Sequence, residues 1–237
     1  MSSAKQIFIK LIPSKPGRAF IQKNHYSGKA VNNSSIHFGV FLHGTMEGVL
    51  AFGPPLDKRK LLNVVHEATW SSIIELNRMA FTERLPRNSE SRAIAFCIRS
   101  LARQYPKLKA VISFADGCQC GDGTIYRASG FLLTAIKKNK NLCRLPTGEV
   151  VHKMTLESSI SQPRPELGGR SYFDVTGGKY DFKKYVKEVG GEVLIGHQLR
   201  YVKPVNGARL ACEVLPFSEI DRQQARMYKG DPLPSKH

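Results

Sequence analysis

The residues best suited to chemistry are a histidine beside a tyrosine at His25-Tyr26, an arginine inside an apolar run at Arg78, an aspartate ending another at Asp116, and Tyr126 beyond it. Histidine titrates near neutrality, so His25 suits the removal of a proton from an amine. The Asp116 carboxylate can accept hydrogen bonds from an amine or orient a histidine. Tyr126 can give a proton to a leaving group. Arg78, pointing from a strand, must pair with a carboxylate or meet a ligand anion, because an unpaired charge there is costly. In the stretch RLPRNSESRAIAF, residues Arg87, Asn88, Ser89 and Ser91 stand where the chain turns into a helix. Unpaired backbone N–H groups at such a turn attract anions. Plain structural readings stand beside these: a satisfied histidine, a turn-forming aspartate before Gly117, a core tyrosine.

Several elements must position these groups. FGVFLHGTMEGVLAF (Phe38 to Phe52) reads as two strands around a turn at His43-Gly44-Thr45. IIELNRMAF (Ile73 to Phe81) alternates as a strand, which puts Arg78 on the face of Leu76 and Ala80, with Glu75 and Asn77 on the other. Apolar residues at Ile94, Cys97, Ile98, Leu101, Ala102 and Tyr105 have helical spacing, closed by Pro106. AVISFA (Ala110 to Ala115) reads as a buried strand, Thr124 to Ser129 as a short helix capped by Gly130, and Phe131 to Ile136 as a further strand. Asn141 to Leu156 reads as a hairpin turning at Pro146-Thr147-Gly148. The Pro, Gly, Ser and Lys content of residues 158–191 reads as an inserted loop region, Glu192 to Val205 as a strand, and the last fifteen or so residues as a polar tail. Fold class is therefore mixed α/β with a partly parallel sheet. The organisation expected is a catalytic core over 1–157, an insertion over 158–191, and a C-terminal strand and tail over 192–237 completing the same domain.

Lysine and arginine total 36 against 19 acidic residues, a net charge of +17. That excess exceeds what solubility needs and points to a polyanion, most simply nucleic acid. Lys29, Lys58, Arg59, Lys60 and Arg200 are the candidate contacts to DNA, with Tyr26 and Phe52 as aromatics that could stack on a base. No apolar run is long enough for a membrane span and no signal-peptide pattern opens the chain. Five cysteines without framework spacing fit a reducing cytoplasm. Cys118-Gln119-Cys120 lacks the second pair that a zinc site requires.

The element order, with IYRASGF (Ile125 to Phe131), resembles the GNAT acyltransferases. Within it HYSGK (His25 to Lys29), ELNR (Glu75 to Arg78), LPRNSES (Leu85 to Ser91), SFAD (Ser113 to Asp116) and GTIYRASGF (Gly123 to Phe131) resemble the Mom proteins, phage DNA-modification proteins. The resemblance implies a GNAT-like sheet flanked by helices. It implies carbamoylmethyl transfer to N6 of adenine, flipped from double-stranded DNA, protecting phage DNA from restriction. It carries over His25, Tyr26, Asp116 and Tyr126 as catalytic residues, and Arg78 and Ser91 as donor-binding ones beside Arg87, Asn88 and Ser89. In GNAT enzymes this turn holds the pyrophosphate of acyl-coenzyme A within a glycine-rich loop; here the loop has no glycine. The donor is either acetyl-CoA or an activated glycine such as glycyl-tRNA, the latter making tRNA a second partner. A metal-assisted route with His25 as one ligand is the rival. Two other functions fit parts of the pattern: an N-acyltransferase acting on a protein or small amine, and an inactive nucleic-acid-binding protein.

Overall fold

The computed structural model describes residues 3–28, 30–55, 57–118, 121–228 and 231–233. Strand β1 (Phe8–Ile12) and helix α1 (Ser14–Asn24) come first. β2 (Ile36–Leu42) and β3 (Thr45–Gly53) form the expected hairpin, whose turn places His43 at φ 48° and Gly44 at φ 82°. Two positive φ values are what a two-residue turn between twisted strands demands. Next come β4 (Ile73–Phe81), α2 (Ser89–Gln104), β5 (Ala110–Asp116) and α3 (Thr124–Ala128). β6 (Leu132–Arg144), β7 (Val150–His152), α4 (Lys153–Glu157), α5 (Tyr172–Thr176), α6 (Phe182–Glu188) and β8 (Glu192–Pro204) follow. α7 (Ser218–Arg222) and β9 (Met227–Tyr228) come last, apart from a short pairing at Asp231–Pro232.

The chain forms two compact units, the first over Met1–Ala115, Gly123–Ala135 and Leu199–Glu219, the second over Asp116–Asp122, Ile136–Gln198 and Ile220–His237. In the first, the strand order is β1-β2-β3-β4-β5-β8-β6, antiparallel from β1 to β4 and parallel between β4 and β5. The expectation of a mixed, partly parallel sheet flanked by helices is borne out. One face of it carries Val49, Ala51 and Ala80 under Ile21 of α1. Gly17 lets α1 approach, since a Cβ there would stand 2.8 Å from the ring of His37. The other face buries Phe38, Val40, Leu50, Phe52 and Leu76.

In the second unit β8, β6 and β7 lie in that order, and α4, α5 and α6 surround Leu156, Leu167, Tyr172, Tyr185 and Val186. The rings of Tyr172 and Tyr185 stack at 5.0 Å. Residues 158–191, expected as loop, thus hold α5 and α6. The Ser and Asp there are N-caps: Ser171 and Asp174 form a capping box, Asp181 caps α6, and Gly177 at φ 70° closes α5. The turn at Gly148 stands as expected, but β6 is one long strand and Lys153 to Glu157 is helical rather than a hairpin arm. Asn139, buried in the polar middle of β6, has its side chain satisfied: Nδ2 donates to Asp116 Oδ2 at 2.9 Å and Oδ1 accepts the Asn141 N–H at 3.0 Å. The expected polar tail holds Ala225 and Met227, both buried. Among the described residues no helix is long and apolar enough to cross a membrane.

Candidate active site

The site is built around one extra residue in β4. Along β3 and β4 the pairing runs Gly53 with Glu75 and Phe52 with Leu76, then jumps to Ala51 with Arg78, leaving Asn77 as a β-bulge. A bulge resets the alternation of faces. Arg78 therefore lies with Ala51 and Ala80 on the α1 face, which is also the face of Glu75, and Leu76 faces away. Strict alternation had paired Arg78 with Leu76 and opposed it to Glu75; the bulge overturns that half of the expectation.

Asn77 is held in the bulge by its surroundings. Its Oδ1 accepts a hydrogen bond from Ser34 Oγ at 3.1 Å, and its carbonyl accepts one from Arg78 Nη1 at 2.8 Å. Gly53 must be glycine, because a Cβ would meet Asn77 Oδ1 at 2.7 Å and run into the Asn33 carbonyl. Burial pushes the Glu75 carboxyl up to about 7, and the hydrogen bond from Asn77 and the charge of Arg78 offset only part of that. Arg78 Nε is buried with no hydrogen-bond partner, so this guanidinium has donor capacity left for a ligand.

His25 caps the C-terminus of α1, its N–H bonded to the Ile21 carbonyl at 2.8 Å. Its Nδ1 accepts the Ser27 backbone N–H at 3.1 Å and lies 2.8 Å from Ser27 Oγ. A nitrogen that accepts a backbone N–H has no proton, so the neutral ring carries its proton on Nε2. Burial and then the nearby Arg78 charge lower its pKa to about 4, keeping the ring neutral at physiological pH. Tyr26 lies against it, ring centroids 4.0 Å apart, and is 55% exposed.

The β4–β5 ladder ends at Glu75 and Ile112 although both strands run on to Phe81 and Asp116. Ser113 Oγ donates to the Leu76 carbonyl at 3.0 Å where the ladder stops. β4 then leads to the start of α2. Asn88, the N-cap, takes the left-handed conformation at φ 68° and makes no side-chain cap bond. It supplies the backbone shape for which a glycine would usually be used. Ser89 is 1% exposed and its Oγ has no partner, while Ser91 Oγ donates to the Asn88 carbonyl at 3.2 Å. Arg87 is exposed beside them.

The other expected residues fall as follows. Tyr126, in α3, is 7% exposed between the rings of Tyr201 (5.3 Å) and Phe131 (5.5 Å). Asp116 belongs to the second unit, where Oδ1 accepts the Cys118 N–H at 3.0 Å and Oδ2 accepts Asn139 Nδ2 at 2.9 Å. Burial raises its pKa against those two bonds. Arg200 is bound to Thr134 through Nε at 2.9 Å and through Nη2 to the carbonyl at 3.2 Å. Lys58 donates to the Trp70 carbonyl at 3.0 Å, and Arg59 and Lys60 lie 3.9 and 3.0 Å from Asp57. Phe52 is wholly buried against Phe38, so it cannot stack on a base. Lys29 and the Gln119-Cys120 pair lie outside the described residues. Among the described residues no group of three or more His, Cys, Asp or Glu could hold a metal ion. Sequence reasoning singled out Arg78 from ELNR and passed over Glu75 and Asn77; a glutamate and an asparagine inside an apolar strand were the available signal.

A model of the Mom protein family matches residues 6–211. The methylcarbamoylase Mom of Escherichia phage Mu is 36% identical over 156 residues, covering 65% of this chain and 64% of that protein. The chain thus matches just under two thirds of that relative's length. Among solved structures, the ribosomal-protein-S18-alanine N-acetyltransferase of Escherichia coli is similar at a TM-score of 0.43 and 13% identity, covering 89% of this chain and 99% of that one. An IAA acetyltransferase from Bacillus cereus gives 0.46 and 11%, covering 84% and 99%. A GNAT family acetyltransferase from Elizabethkingia anophelis with acetyl-CoA bound gives 0.40 and 12%, with the same coverage.

Proposed function

Because this chain belongs to the Mom protein family, we propose that it is a transferase that places a carbamoylmethyl group on N6 of adenine in DNA, so that phage DNA escapes restriction. The observation that carries the chemistry is the Asn77 bulge, which sets Glu75, titrating near neutrality, on one face with Arg78. An adenine amine is too weak a base to attack without losing a proton. A carboxylate of pKa about 7 is close to the best strength for that step at working pH. Glu75 takes the N6 proton. His25, neutral with its proton on Nε2, donates to the acyl oxygen as charge develops, and Arg78 supports it. This exchanges the role expected of His25, from base to donor. Tyr126 gives the leaving group its proton, as the family likeness implies.

The donor's acyl arm lies where the β4–β5 pairing stops, and its anionic part meets the N-terminus of α2 at Asn88, Ser89 and Ser91, with Arg87 beside them. Simple transfer from acetyl-CoA would join N6 to a carbonyl and leave N-acetyladenine. An activated glycine, such as glycyl-tRNA, balances the product. N6 attacks the glycyl carbonyl and expels the donor's hydroxyl; the glycyl amine then attacks adenine C6, closing a five-membered ring. Breaking the old C6–N6 bond leaves C6–NH–CH2–CO–NH2, the former N6 now the amide nitrogen. The exposed face of α2, with Arg92, Phe96, Arg99 and Arg103, adds to the charge that a polyanion requires.

The adenine must leave the duplex to reach such a site. The test is to express the chain in a bacterium, digest its DNA to nucleosides and search by mass spectrometry for carbamoylmethyl-deoxyadenosine. Its presence, and its loss in Glu75→Gln, is the expected result; a folded protein that leaves adenine unmodified overturns the reading. Feeding glycine labelled at carbon and nitrogen decides the donor, since neither label in the base rejects the glycyl route.

A further inference from the structure

We propose that Trp70 is a stacking platform for an unpaired base of the DNA strand beside the target adenine, with Lys58, Arg59 and Lys60 on the adjoining phosphates. This rests on the reading of DNA as the substrate. Trp70 is the chain's one tryptophan, and it is 56% exposed. The loop that presents it is pinned. Lys58 Nζ bonds its carbonyl at 3.0 Å and lies 6.0 Å from the ring centroid. Ser72 Oγ accepts the Thr69 N–H at 2.8 Å and donates to the Thr69 carbonyl at 3.0 Å. On one side the ring lines a shallow recess with Pro55, Lys58, Leu61, Leu62 and Ile73. A large ring with those residues on its inner side and exposed on the outer one is placed for a flat partner.

Charge identifies that partner. The side chains of Arg59 and Lys60 are exposed and, among the described residues, pair with Asp57 alone, a surface pairing that holds them weakly. Cations flanking an aromatic platform match a strand of bases and phosphates. Position agrees. The 3-10 turn Arg59–Val64 packs Leu61 and Val64 on Ile73 and Ile112. Ile73 alternates with Glu75 along β4, and Ile112 is paired with Glu75 across the ladder, so the platform borders the sheet face that carries Glu75 and Arg78. Extruding an adenine breaks the stacking of its neighbours, which gives the ring an unpaired base to receive.

The sole tryptophan makes its own emission the reporter. The full-length chain is titrated with an unlabelled adenine-containing duplex while tryptophan emission is read, and with a fluorescein-labelled copy while anisotropy is read. The expected result is quenching that saturates with binding. Trp70→Ala should weaken binding about 5- to 150-fold, the range for one stacked base, whereas Trp70→Phe retains most of the affinity. Matching thermal melts show that the variants fold. Binding with unchanged emission, or Trp70→Ala binding within about twofold of the parent, overturns the platform and leaves the DNA reading intact. No binding of the labelled duplex by the parent chain overturns the DNA reading and the platform together.

Discussion

Glu75→Gln is expected to destroy activity and, above neutral pH, to make the protein more stable. Burial holds the Glu75 carboxyl at about 7, against 4.5 for the exposed group. Folding therefore favours the protonated form: its stabilisation is complete below pH 4.5 and is lost as pH rises through about 7. At about 1.4 kcal/mol per pH unit the full shift is worth about 3 kcal/mol, reduced by the solvent that still reaches this half-buried side chain. Glutamine has no proton to lose. Near pH 5 the variant should match the parent; near pH 9 it should be more stable by about 2 kcal/mol, or roughly 4–8 °C in Tm for a chain of this size. Loss of a general base should cost about 10²–10⁴ in rate. Thermal unfolding followed by circular dichroism across that pH range, with nucleoside analysis alongside, measures both. Parallel Tm–pH curves for the two proteins, or a variant less stable at high pH, would refute the account of Glu75.

Ser89→Ala should leave stability unchanged or raise it by about 1 kcal/mol, since a buried hydroxyl without a partner is removed, yet raise the KM for the donor about tenfold. A fall in stability would mean that the hydroxyl is structural. His25→Asn should abolish modification and flatten the loss of stability between pH 6.5 and about 4, the window over which a depressed histidine regains its proton. An unchanged acid limb in thermal melts counts against the burial of that ring. Gly17→Ala gains about 1 kcal/mol of helix propensity and meets the His37 ring, where overpacking costs about 1–3 kcal/mol. Because that ring is buried and cannot yield, a net loss is expected in chemical denaturation. Replacing Lys58 and Lys60 together with glutamine should reduce the salt slope of DNA binding by about 2 in a log–log plot; an unchanged slope removes them from the phosphate contacts.

The hairpin, β4, α2 and β5 were legible because their signals are local: turn glycine, alternation and helical spacing. β1 and α1 were not. α1 opens Ser14-Lys15-Pro16-Gly17, a poor helix start by propensity, and it is held by Ile21 packing on the sheet, a contact made after the chain has folded. α5 and α6 were hidden because caps and loops use the same residues, and Ser171, Asp174, Gly177 and Asp181 read as either. His25 and Arg78 were legible as candidate site residues. Glu75 was not, because the alternation that finds strands also sends it to the opposite face from Arg78.

That failure bears on how the site works. Without the bulge, Glu75 and Arg78 would face opposite sides of β4, and the face beneath α1 would hold a carboxylate or a guanidinium but not both. With it, one arginine acts on two neighbours at once: its charge lowers the pKa of Glu75 only partway from where burial puts it, and adds to the lowering of His25. A stronger pairing would turn Glu75 into an inert carboxylate. A weaker one would leave it a neutral acid at working pH, unable to take a proton. The Arg78–Asn77 hydrogen bond at 2.8 Å turns part of the guanidinium toward the backbone. Arg78→Lys should therefore alter the pH at which activity rises more than it alters the maximum rate. An ammonium cannot bond the bulge carbonyl and keep the same place beside Glu75. A pH–rate profile that falls uniformly, with no shift of its midpoint, would show that Arg78 acts on the ligand alone.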